Sequence, residues 1–174
     1  MSSEMDNFIG LSSVLTGFSK DILAPELDPI NIKSQYLPFF KNKIAQESGD
    51  ASLVGRVFAM YQLLEQQNMP SQAIAQALLR EQNGEAFVLA CRKLIFMWYS
   101  GAWPQLIPAS GSTPASTVSD LISAESYSAG LVWQVMQSHA MGDSNYRYGY
   151  WAKLPAPLSD YTGNEEVKDE HANV

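Results

Sequence analysis

Cysteine is almost missing from this chain. Cys91 is the only one in 174 residues, so no internal disulfide can form. With only His139 and His171 to join it, no Cys/His zinc set can be assembled either. Charge is scarce at 17% and lopsided, with 11 Lys and Arg against 18 Asp and Glu, a net charge of -7. Binding to a phosphate backbone needs clustered Lys and Arg, so nucleic acid is excluded as an expected partner. Long hydrophobic runs are lacking too: the best candidate, "AFVLACRKLIFMW", is interrupted by Arg92 and Lys93, and no bilayer span is expected. The opening "MSSEMDN" carries Glu4 and Asp6 where a secretion signal would place Arg or Lys, so the chain as written is expected to stay in the cytoplasm. The chain contains no G-x-G-x-x-G, G-x-x-x-x-G-K-[ST], H-E-x-x-H or G-x-S-x-G, and no cofactor is expected to bind to it.

What is present is a hydrophobic fraction of 46%, enough to bury a core in a chain of this length. Its spacing is helical. In "DNFIGLSSVLTGFSKDIL" Phe8, Leu11, Leu15, Phe18 and Ile22 recur every three or four residues, with Asp6 as a cap and Gly10 and Gly17 as weak points. "ELDPINIKSQYLPFFKNKIAQ" sets Asp28 and Pro29 as a cap and first helical position, and Pro38 predicts a kink or break. "DASLVGRVFAMYQLLEQQ" places Leu53, Val57, Met60, Tyr61 and Leu64 on one face, and "PSQAIAQALLREQ" does the same with Ile74, Ala77 and Leu78. "GEAFVLACRKLIFMWYSG" is apolar on nearly every side and predicts a central helix packed all round, ending near Gly101.

The following "PQLIPASGSTPASTVS" reads as a loop, and "DLISAESYSAGLVWQVMQSH" as a last helix ended by Gly142. After it comes an aromatic, then Pro-rich, then acidic stretch. The expected fold is all-α: one compact bundle of about five to six helices over residues 1–158, with an extended aromatic and Pro-rich C-terminal region and a mobile acidic tail at 159–174.

Few residues could carry chemistry. His139 is a conceivable general base, but a histidine near a helix C-terminus serves the free carbonyls and the dipole there. Cys91 has Arg92 beside it to activate a thiolate, yet an apolar helix buries its cysteine. The carboxylates of "NEEVKDE" have nothing to desolvate them and read as solvated. The aromatics remain. Trp98, inside the apolar helix, is expected in the core. Trp103 lies beyond that helix, and Tyr146, Tyr148, Tyr150 and Trp151 crowd one irregular segment that cannot bury them all, which points to a surface covered by another protein.

Those segments carry a resemblance. "FIGLSSVLTGF", "FMWYSGAWP", "ESYSAGLVWQVMQSHAMG" and "YGYWAKLP" occur in that order over most of the chain. The pattern resembles the small subunit of the bacterial membrane-bound, FAD-dependent sorbitol dehydrogenase family. The resemblance implies a non-catalytic partner in a heterodimer, one that stabilises a large subunit of the glucose-methanol-choline type and helps it fold and be exported to a periplasmic or inner-membrane-associated location. In such complexes the large subunit holds the FAD and a cytochrome c subunit can take the electrons. The implied interface is Tyr99, Trp103, Tyr127, Tyr146, Tyr148, Tyr150 and Trp151. Two departures matter. The twin-arginine signal implied for a periplasmic member has no counterpart in "MSSEMDN", and the cysteine that ties some small subunits to their partner is absent from "DSNYRYGYWA". Two other classes stand beside this reading: a free-standing helical chaperone or scaffold with other clients, and a small enzyme using His139 or Cys91.

Overall fold

The computed structural model describes residues 3–107, 110, 112, 116–140 and 162–163. It is mostly helical, as the spacing predicts, and no helix among the described residues is long and apolar enough to cross a membrane. The expected tail boundary at 159 lies outside the described residues. The chain forms two compact units, Met1–Ile95 and Phe96–Val174.

In the first unit, α1 (Glu4–Thr16) begins at a capping box, although its cap is Ser3. The Ser3 hydroxyl accepts from the Asp6 backbone N–H at 3.1 Å, and the Asp6 carboxylate accepts in return from the Ser3 N–H at 2.8 Å. Asp6 therefore sits one turn inside the position expected for it. Gly17, in the left-handed region at φ 80°, ends the helix, and α2 (Lys20–Leu23) is separate. Phe8, Leu11, Leu15 and Phe18 are buried, as their spacing requires. Gly10 is a place where only glycine fits: a Cβ there would run into the phenol ring of Tyr61, whose hydroxyl donates to Glu65 at 2.7 Å.

The helix α3 (Ile32–Ser48) runs through Pro38 without ending. Burial of Tyr36, Leu37, Phe40 and Ile44 along one side holds it together despite the lost hydrogen bond, so the predicted break does not occur. Asp28 and Pro29 do not start it. Asp28 sits in the preceding turn, accepting from the Asn31 N–H at 2.6 Å and from Lys33 at 2.5 Å, and Asn31 takes the left-handed conformation at φ 50°. Then come α4 (Leu53–Gln66), which buries Leu53, Val57, Tyr61 and Leu64, and α5 (Ser71–Leu78), which buries Ile74, Ala77 and Leu78. The helix α1 packs against α2, α3, α4 and α5.

The apolar helix α6 (Glu85–Ser100) crosses from the first unit into the second. It is not packed all round. Phe87, Val88, Ala90, Cys91, Leu94, Met97 and Trp98 are buried, whereas Glu85, Leu89, Arg92 and Phe96, at spacings of three and four, form an exposed stripe.

In the second unit, the stretch expected as a loop contains an antiparallel pair, β1 (Ala102–Ile107) and β2 (Ser116–Leu121), in register Ala102 to Leu121. Pro104 hides β1 from sequence reading, since proline is found only at sheet edges, but a two-stranded ribbon consists of edges. The expected last helix is two short ones, α7 (Ala124–Ser128) and α8 (Leu131–Val135). Its first residues belong to β2. A second capping box, Ser123 with Ser126, starts α7, and Gly130 separates it from α8.

Candidate functional site

Just past α6, the chain turns on Gly101, whose φ of 68° suits glycine alone. The Gly101 carbonyl accepts from the Ile122 N–H at 3.2 Å and from the Ser126 hydroxyl at 2.7 Å, which pins the start of β1 against the start of α7. A Cβ on Gly101 would collide with the Ser126 carbonyl group. Gly130 is confined in the same way, because a Cβ there would come within 2.9 Å of the Tyr99 carbonyl oxygen.

These two close approaches bring the backbones of Tyr99 and Tyr127 into one region. Tyr127 is half-buried, and its carbonyl accepts from the Gly130 N–H at 3.2 Å and from the Trp133 indole N–H at 2.7 Å. The rings of Tyr127 and Trp133 meet edge to face, with centroids 5.2 Å apart. Burial pushes the Tyr99 hydroxyl above the ordinary tyrosine range, so this phenol stays protonated and keeps its proton to donate. Trp133 lies in the stretch expected as one last helix. Its place six residues from Tyr127 across a glycine, with an indole N–H in need of an acceptor, is the signal that would have found it.

Trp103 does not belong to an exposed surface. It is 1% exposed, as buried as Trp98 at 2%, because β1 starts straight after the Gly101 turn and carries its first three residues, Ala102 to Pro104, inward. The expectation that Trp103 meets a partner is corrected to a core role. Tyr146, Tyr148, Tyr150 and Trp151 lie outside the described residues.

The candidate catalytic groups are placed as follows. His139 follows α8 by several residues instead of ending it, with Nδ1 2.9 Å from the Ala140 carbonyl oxygen. Cys91 is fully buried, and desolvation pushes its thiol up to about 12, away from the thiolate that a nucleophile needs. In the native protein Cys91 is therefore expected to resist an aromatic disulfide reagent at pH 8 and to react stoichiometrically once denaturant is added. Fast labelling of the folded chain would overturn its burial. Among the described residues, no group of three or more His, Cys, Asp or Glu is placed to hold a metal ion.

Half-buried tyrosines with an edge-on tryptophan offer apolar area and polar tips together, the combination suited to protein contacts. Compared with protein-family models, curated proteins and solved structures, the chain matches none.

Proposed function

We propose that this chain is an accessory small subunit that binds and stabilises a flavin-dependent sugar or polyol dehydrogenase, leaving FAD and catalysis to its partner. The observation that carries the reading is the order of the four segments around Phe8, Trp98, Tyr127 and Trp151, which follows the small-subunit pattern over most of the chain. Two further observations agree with it. Cys91, one of the two side chains through which the chain could act alone, is withdrawn from solvent, and Tyr127 and Trp133 form a half-buried edge-to-face aromatic pair of the kind protein interfaces use.

The test is capture of the partner from the source cell on the immobilised chain, followed by its mass and its absorbance. The expected result is one large polypeptide carrying a flavin spectrum and oxidising a sugar or polyol. Capture of a partner without flavin would favour the scaffold reading, and a stoichiometric flavin on this chain alone would overturn the assignment of roles.

A further inference from the structure

A cleft of about 210 Å3 opens in the first unit between the end of α3, the start of α4 and the first turns of α6. Ile44, Leu53 and Leu89 are among its apolar lining, and Glu47, Glu85 and Lys93 are its charged lining. Lys93 is only 6% exposed, and its Nζ lies 2.5 Å from Glu47 Oε2. One turn away on α6 its neighbours Leu89, Ala90 and Met97 are apolar, and a hydrophobic residue in its place would avoid the desolvation of an ammonium group. Buried ion pairs are poor stabilisers because that desolvation offsets their attraction. A buried lysine lining a mostly apolar cleft gives it the makeup of a small-molecule site: concave, mostly apolar, with a few polar groups to orient the ligand.

We infer that the cleft binds a small amphipathic monocarboxylate. Its carboxylate sits on Lys93 Nζ and its apolar tail lies along Ile44, Leu53 and Leu89. The two partners of the ion pair are unequal, which sets the sign of the ligand. The Lys93 side chain is 8% exposed, whereas that of Glu47 is 36% exposed and already reaches solvent. A ligand carboxylate that replaces Glu47 keeps the buried ammonium neutralised, while a cation would place like charges together in a poorly solvated space. Glu85 on the lining disfavours a second negative charge, hence one carboxylate only. A cleft of this volume holds several water-sized groups, room for a short-chain carboxylate such as hexanoate.

The experiment is a titration of the full chain, its methyl groups observed by NMR, with hexanoate, acetate and hexylamine in turn. Hexanoate is expected to give saturable shifts at Ile44, Leu53 and Leu89, acetate much weaker ones for want of a tail, and hexylamine none at these methyls. Lys93→Met should weaken hexanoate by about tenfold or more, and Glu47→Gln should tighten it by removing the competing carboxylate. Hexylamine binding as well as hexanoate, unchanged affinity in Lys93→Met, or no saturable shift would each overturn the inference. Should either variant fail to fold, the comparison of the three ligands on the unaltered chain still decides.

Discussion

Replacing Gly101 by alanine is expected to cost about 2–4 kcal/mol and to dismantle the packing of the second unit. Two penalties act together. A non-glycine residue held in the left-handed region loses about 1 kcal/mol or more, and Gly101 sits there at φ 68°. The new methyl group would also meet the backbone of Ser126 and Tyr127, which cannot rotate aside as a flexible side chain would, so overpacking adds about 1–3 kcal/mol. Any relief by backbone movement would break the bonds from Ile122 and Ser126 to the Gly101 carbonyl. Denaturant melts followed by near-ultraviolet circular dichroism would report this as early loss of the aromatic signal. A variant that melts with the parent would show that the turn is looser than the close approach implies.

Trp103→Ala is expected to destabilise the free chain by about 3–5 kcal/mol, the same range as Trp98→Ala. Both indoles are almost wholly buried, and each truncation removes a large apolar surface and leaves a cavity. Phe96→Ala, at a position of α6 that is 36% exposed, is the comparison and should cost less, about 1–2 kcal/mol. Thermal melts of the three variants without any partner decide the matter. A Trp103→Ala melt close to that of Phe96→Ala would return Trp103 to the surface.

The contrast between these tryptophans shows how far the sequence can be read. Residues inside one helix were legible because 3.6-residue spacing alone sorts them: Phe8, Leu11 and Leu15 in α1, Leu53, Val57 and Tyr61 in α4, Ile74 and Leu78 in α5 are all buried as their period demands. Residues beyond a helix end were not, because their burial depends on where the chain goes next. Trp103 follows a glycine turn into a strand whose proline argued against any strand, and the partner β2, "STVSDL", has the composition of a loop. The faces of α6 were misread for a related reason: an all-apolar pattern cannot tell which side is left uncovered. Of the candidate site, Tyr99 and Tyr127 stand out in the sequence as aromatics, while the Trp133 contact and the Lys93–Glu47 cleft depend on contacts between elements that no local pattern encodes.

The Ser126 hydroxyl, donated to the Gly101 carbonyl, has a consequence for the order in which the chain folds. The two residues are separated by 25 positions, so the contact must bear a loop-closure entropy that helical hydrogen bonds do not. Such a bond is expected to form late, after the barrier, with a φ-value near zero. Ser126→Ala would then leave the refolding rate almost unchanged and hasten unfolding, so that the buried serine sets how long the second unit stays closed instead of how fast it is made. Stopped-flow rates on both limbs would show it, and slower refolding in the variant would place the closure early.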